Sequence, residues 1–503
     1  MSLKYYDTNL LTNIADAIRQ QEGTNNLMTV EAMPSHIENI STGGSFKWMS
    51  FAGFTGEHIN DEDIDFDVEK SYMNMEGRLF CNCNKLRSIP NSINIHKYRN
   101  LSYAMYDVGM YNLYTVTGYY PNLVNGSHFY RVNYVIDSGR YNSGKAMNLF
   151  FNLPNAIDLN QFLTFYNGQE IQPLGNWTIN IQAPKAQIYD STICTNRWSF
   201  GYLNNTIPNW NLILNMPNLK QFSNFFNGFG QFNSASPNSW SKLYNILNSI
   251  TANVTNASYM FSYFNTGSNG YLPNINTSKF EDVSNIFYGS NITGSYRFSN
   301  FYNWNLSNVK IADNMFKSAP FVNNFSLNIY LPNCVSANYM FHYYTGTRYS
   351  HNINLPNCVN ASHFLYYADK LQDVPNLYLP NVVDCSFIFG SARNLKNVPE
   401  NFIGYEKVTN IEGIFSYCNN LTNESLVNIA KWLLNINTET LEERANILKL
   451  PYDSWSYYVY NNAIQESRYQ YHNGIFYGSN KRLNVATIGS DLYDQLKAKG
   501  WNI

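Results

Sequence analysis

"LPNCVSANYMF" occupies residues 331–341, "LPNCVNASHFL" residues 355–365 and "LPNVVDCSFIF" residues 379–389. Their prolines, Pro332, Pro356 and Pro380, are 24 residues apart. Self-similarity at a fixed period of this size is the mark of stacked units, so the register is worked out before any single residue is given a role. Taking Phe341, Leu365 and Phe389 as anchors, the register extends to Phe261, Phe287, Phe316 and Phe415, at intervals of 26, 29, 25, 24, 24 and 26 residues. Four positions before each anchor stand Ala257, Val283, Ala312, Ala337, Ala361, Cys385 and Ile411, and one before stand Met260, Ile286, Met315, Met340, Phe364, Ile388 and Ile414. Ala319, Ala368, Ala392 and Cys418 follow three after. Apolar residues at these offsets share one face of a helical turn, which predicts a short helix or 3₁₀ turn in every repeat.

Ahead of each Pro-Asn the period changes to two. Ile329 and Leu331, Ile353 and Leu355, and Leu377 and Leu379 alternate with Asn328, Tyr330, Asn354, Asn376 and Tyr378. That alternation predicts half-buried parallel strands stacked along a solenoid, with the polar set laddered on the exposed face. Similar strands precede proline in "NLFFNLPN" (148–155), "WTINIQAP" (177–184) and "NLILNMPN" (211–218). Proline suits a strand end because it cannot donate to a central ladder.

The motifs "LFCNCNKLRSIP" (79–90), "IFGSARNLKNVP" (388–399) and "IFSYCNNL" (414–421) resemble the core of BspA-type leucine-rich repeats. The resemblance covers roughly residues 70–425 and implies an α/β solenoid of parallel strands and short helical turns. "LLTNIADAIRQQEGTNNLMTVEAMPSHIENI" (10–40) is similar to the segment that opens many tail-associated proteins of phages and prophages. "ATIGSDLYDQLKAKGWNI" (486–503) is similar to the helix and terminal strand that close such repeat proteins. The expected organisation is an N-terminal helical anchor (1–42), a linker and N-terminal cap (43–75), the solenoid (76–422) and a C-terminal cap (423–503) with a Tyr-rich insertion at 452–480. The cap begins with a helix over "NESLVNIAKWLLN" (423–435). In the anchor, Leu10, Leu11, Ile14 and Ile18 form one apolar face and Met33, Ile37 and Ile40 a second. Two such short helices cannot bury themselves alone, which implies docking on other virion proteins or on copies of this chain, a trimer being one such homo-oligomer.

Charged residues make up 14% of the 503 residues and aromatics 16%, the reverse of a disordered composition. A net charge of -2 without a Lys/Arg cluster supplies no field for a phosphate backbone, which argues against nucleic acid. No run approaches eighteen apolar residues and the N-terminus has no signal-peptide pattern, so neither membrane insertion nor export by the usual route is expected. Seven irregularly spaced cysteines do not make a disulfide framework.

Cys358 occupies a column shared with Val254, Phe280, Val309, Cys334, Val382 and Val408, which asks for a mid-sized core side chain. Cys81 and Cys83 form a C-x-C without a second pair, too little for a metal site. Asp61, Asp63, Asp65 and Asp67 lie on one side of a strand-like stretch, either a solvated edge or a calcium site, although the Gly and terminal Glu of an EF-hand loop are missing. No motif assembles a reaction centre or a cofactor site, and an enzyme such as a tail-borne glycan hydrolase would need an acid pair across a groove. His363 falls in a variable column with Tyr259 and Tyr339, and Tyr366 and Tyr367 follow it. These residues, with the strand-face asparagines and tyrosines, are the candidate surface for a host glycan or protein; the other reading is that stacked Asn and Tyr stabilise the outer ladders. The resemblances imply a non-enzymatic virion protein of the tail or baseplate, then of a head fibre or capsid decoration, with a bacterial cell-surface adhesin as the rival.

Overall fold

The computed structural model describes residues 100–101, 105–108, 115–127, 129–133, 147–166, 177–189, 210–224, 247–264, 272–291, 299–320, 328–345, 352–374, 376–437, 475–476, 479–481 and 483–501. The apolar faces at 10–40, the carboxylates at 61–67, Cys81, Cys83 and the insertion at 452–480, apart from residues 475–476 and 479–480, lie outside the described residues.

The described chain has an α/β architecture of parallel strands interspersed with short helices. Strands β1 (Met105–Val108), β3 (Tyr130–Asn133) and β5 (Leu163–Tyr166) form one sheet. β2 (Thr115–Tyr119), β4 (Met147–Asn152), β6 (Trp177–Gln182) and β7 (Trp210–Asn215) form a second. β8 (Asn328–Tyr330), β9 (Asn352–Asn354) and β10 (Asn376–Tyr378) form a third, in register at 24 residues as the prolines require.

A single line of parallel bridges joins the sheets. It runs Asn100, Asn125, Asp158, Ile188, Gln221, Asn256, Asp282, Ile311, Ser336, Asn360, Asp384, Asn410, each residue paired with the next. Insertions that obscure the period before residue 255 are thereby located between bridge residues. The column favours Asn and Asp for a local reason: the side chains of Asn125, Asp158, Asn256, Asp282, Asn360, Asp384 and Asn410 each accept from the N–H two residues on. Such Asx turns release the chain from the bridge into its next bend.

The Pro-Asn pairs carry a second ladder. Asn333, Asn357 and Asn381 donate their Nδ2 to the carbonyls of Ser307, Pro332 and Pro356 on the preceding turn, at 2.8, 2.7 and 2.6 Å. Asn155 and Asn218 do the same on earlier turns, and Asn253, which follows Ala252, takes the same place in the ladder. Proline ends the strand and the asparagine after it ties that end to its neighbour, which is why the dipeptide recurs.

Every anchor from Phe261 to Phe415 is buried, together with the columns four before, one before and seven before it. Anchor rings stack along the array: Phe261 on Phe287, Phe287 on Phe316 and Phe316 on Phe341, at 5.9, 5.5 and 5.1 Å. These side chains fill one continuous core whose burial is the main stabilising term.

The expected helical turn is corrected here. The residues two before and two after each anchor have positive φ: Tyr339 and Tyr343, His363 and Tyr367, and Phe387 and Ser391, at 52–61°. A helix excludes that conformation, and what forms is a chain of tight turns. The N–H groups one after and three after the anchor bond within the turn, as Tyr366 to His363 and Ala368 to Leu365 do, and so do those of Met260, Ile286, Met315, Ile388 and Ile414, one before it. The alternate N–H groups bond outward, His363 to Ser386, Leu365 to Ile388 and Tyr367 to Gly390, at 2.8–2.9 Å. In the turns closed by the N–H groups one before and three after the anchor the third residue is left-handed, the requirement of a type II turn, while the third residue of the turn between them is the anchor itself, which is not; every second N–H is left for the next turn.

Short helices occur elsewhere, at 247–251, as a 3₁₀ turn at Ser299–Asn303, and at the C-terminal end of the array. There α1 (Asn423–Asn435) matches the expected helix, capped by Thr422 and burying Leu426, Ile429, Ala430, Trp432 and Leu433. The Trp432 indole packs on Phe402 at 5.0 Å and donates to the Ile403 carbonyl. α2 (Val485–Ile488) and α3 (Ser490–Ala498) follow, and the strand expected after α3 does not form over 499–501. Gly500, at φ 92°, turns the chain back, and Gly500 and Trp501 donate to the carbonyls of Lys497 and Leu496, which closes the helix. Among the described residues no helix is long and apolar enough to cross a membrane.

Candidate recognition surface

The candidate surface residues fall into two rows. On the strands, Tyr330, Asn354 and Tyr378 are register partners on β8, β9 and β10. Tyr330 and Tyr378 are 62% and 55% exposed, among the most open large side chains of the described chain. At the usual strand spacing the two phenols are about 9.5 Å apart. Asn354 between them is half-buried, and its covered Oδ1 has no hydrogen-bond partner. Two residues earlier on each strand, Asn376 donates to Asn352 and Asn352 to Asn328, at 3.0 and 2.9 Å. Asn328 and Asn376 are therefore rungs of a structural amide ladder, and Asn352 is the member that links them.

The second row stands on the tight turns. Tyr339, His363 and Phe387 occupy equivalent positions and stack face to face, at 4.3 and 4.9 Å. Lys317 Nζ lies 5.1 Å from the Tyr339 ring and begins the column. At its other end Gly413 provides the space: a Cβ there would stand 2.3 Å from the Phe387 ring. Beside this stack His342 packs on Tyr343 at 4.1 Å, Tyr343 on Tyr367 at 5.3 Å, and Tyr366 meets the edges of His363 and Tyr367 at 4.9 and 4.5 Å. Tyr339, His363, Tyr366 and Tyr367 are thus brought together, but the faces of Tyr339 and His363 are used up inside the column. Tyr259, 38% exposed, is three turns away, about 14 Å at strand spacing.

His342, Tyr343, Phe387 and Lys317 belong to this group: Phe387 shares the column of His363, His342 and Tyr343 open the Tyr-rich stretch "HYYTGTRYS" (342–350), and only Lys317 carries no sequence signal. His342 is buried, and neither of its ring nitrogens has a partner. Burial, with Lys317 and then His363 nearby, lowers its pKa to about 4. Burial also lowers His363 to about 4, with Asp384 opposing and Lys317 adding to the shift. Both imidazoles are therefore neutral at pH 7. Tyr366 is pushed up to about 12, by burial first and then by Tyr367.

Cys358 and Cys334 are buried as their column requires, and their thiols donate to the Asn360 and Ser336 carbonyls. Burial raises Cys334 to about 12 and raises Cys358, Cys385 and Cys418 as well. None of the four is ionised near neutrality, so none is a ready nucleophile. Among the described residues no group of three or more His, Cys, Asp or Glu is placed to hold a metal ion.

A family model described as "Mycoplasma protein of unknown function, DUF285" matches residues 238–354. The chain is similar to that family over the turns anchored at Phe261, Phe287, Phe316 and Phe341, less than half of its length. No curated protein and no solved structure matches the chain.

Proposed function

We propose that this chain is a non-enzymatic phage virion protein, a BspA-like leucine-rich-repeat solenoid held to the tail or baseplate by its N-terminal segment and presented to the host surface. The bridge ladder from Asn100 to Asn410 and the 24-residue register of β8–β10 support the solenoid. The observation that carries recognition is the strand row, in which Tyr330 and Tyr378 stand open on a sheet whose backbone and amide ladders hold them rigid. Rigid, uncharged, amphipathic side chains give contact area at low entropic cost. Binding rather than catalysis is supported by the chemistry of the other row: His363 is stacked between two rings, His342 is buried against Tyr343, and the core thiols are protonated. The phage assignment rests on the resemblances at 10–40 and 486–503.

Immunogold labelling of purified particles, paired with adsorption assays on particles lacking the protein, tests this reading. Label at the tail and lost adsorption are expected; unimpaired adsorption would sink the receptor role. The similarity of 238–354 to a family described from Mycoplasma favours one second reading, a bacterial cell-surface adhesin. That reading expects antibody to label intact cells that carry no phage.

A further inference from the structure

β8 is the end strand of its sheet. Leu331 donates its N–H to Asn354 on β9, so the N–H and C=O of Asn328 and Tyr330, alternating with it, point the other way. On β9 and β10 the equivalent carbonyls, of Asn354 and Tyr378, accept from Leu331 and Leu355. The Tyr330 carbonyl receives no such bond: among the described residues no backbone hydrogen bond joins 301–307 to β8. The reason lies in the neighbouring turn, which carries the 3₁₀ segment Ser299–Asn303 in place of a strand. Trp304 follows it, its indole bonded to the Pro273 carbonyl and stacked on Phe287 at 5.7 Å.

Between the two segments lies a groove of about 270 Å³. Trp304 is among its buried lining, Tyr302 and Tyr330 are exposed rings, and Asn305, Ser307 and Asn328 supply neutral polar groups. Among the described residues no charged side chain lines it. The volume is below the range of sites for drug-sized ligands and suits one ring. An anion or cation would find no counter-charge, and an extended peptide would find two residues of strand edge, less than a short strand needs. What fits is a neutral ring with an apolar face for a phenol and hydroxyls that both donate and accept.

We infer that this groove binds one neutral sugar unit of a surface glycan, the phenol of Tyr330 or Tyr302 lying on the sugar ring and the open edge of β8 meeting its hydroxyls. The inference rests on the recognition reading for its occupant and on the groove for its place. Further units would run along Asn354 and Tyr378.

Saturation-transfer NMR and calorimetry on the full chain test it, with methyl glycosides and short oligomers of glucose, galactose and their N-acetylamino forms, beside uronic and sialic acid counterparts and a library of extended peptides. Binding of at least one neutral sugar is expected, weakened ten-fold or more by Tyr330→Ala or by Tyr302→Ala, and unchanged by Tyr119→Ala on β2. Thermal melts of each variant exclude misfolding. Absence of neutral-sugar binding, binding confined to acidic sugars or peptides, or binding indifferent to both groove variants would overturn the inference while leaving surface recognition standing. Sugar binding at Tyr330 together with unimpaired adsorption would instead remove the receptor role and keep the groove.

Discussion

The phenol of Tyr339 lies face to face with the imidazole of His363, ring centroids 4.3 Å apart and planes within 14°. Phe387 covers the opposite face of the imidazole at 4.9 Å, so His363 is sandwiched between two neutral rings, each one turn away from it. Both residues hold positive φ, near 55°, a conformation that disfavours ordinary side chains and is sustained here by bonds to the next turn.

Acid should loosen this region. His342 and His363 titrate near 4 in the fold and near 6.5 when unfolded, so between those values the unfolded chain binds more protons. Stability is then constant above about pH 7 and falls as pH drops through 6.5 toward 4. His363→Phe, tolerated because Phe387 already adopts the same φ, should flatten that slope. Urea midpoints measured from pH 7.5 to 4.5 check it; equal slopes in both proteins would refute the assignment.

Gly413→Ala should force the Phe387 ring out of the stack, because the new methyl would stand 2.3 Å from it. A loss of about 1–3 kcal/mol is expected, the range for overpacking. Adding Phe387→Ala should recover part of that loss, and a double-mutant cycle by chemical denaturation reads the coupling. Strict additivity would mean that the ring does not depend on this space.

Phe316→Ala should cost about 3–5 kcal/mol, since it removes a buried ring stacked between Phe287 and Phe341 and leaves a cavity. Hydrogen exchange should show the loss concentrated in the turns on either side. Uniform loss over the whole array would speak against neighbour-limited cooperativity.

Cys334, Cys358, Cys385 and Cys418 should resist iodoacetamide in the native protein at pH 8, being buried with raised pKa values. Mass mapping of labelled sites before and after denaturation checks this; native labelling at Cys358 would contradict its burial.

The period, the anchors and the inward columns were legible because burial leaves its record in residue type, and Phe341, Leu365 and Phe389 repeat it at 24 residues. The form of the turn was not legible. A helix and a string of tight turns both bring offsets of -4, -1, 0 and +3 to one side. The discriminating signal, left-handed backbone at -2 and +2, falls on Tyr, His and Phe twice as often as on Asn and Gly. Pro-Asn was readable as a strand end through its proline alone, while the hydrogen bond that the Asn357 amide donates to the Pro332 carbonyl depends on where the previous turn lies. Of the candidate surface, exposure of Tyr330 and Tyr378 followed from alternation. The stacking that closes the faces of Tyr339 and His363 did not, because it joins residues a full turn apart.

The division of N–H groups between a turn and its neighbour has a genetic consequence. The joint between the Phe341 and Leu365 turns uses the same donors and acceptors as the joint between the Leu365 and Phe389 turns. A whole 24-residue unit can therefore be duplicated or deleted without orphaning a backbone group, whereas one residue gained inside the tight turns sets every later donor against the wrong carbonyl. Spacing between laddered asparagines and their partners already ranges from 24 to 36 residues. Lineages of this protein should differ in the number of turns and in the loops between anchors, and keep the eight residues around each anchor constant in length.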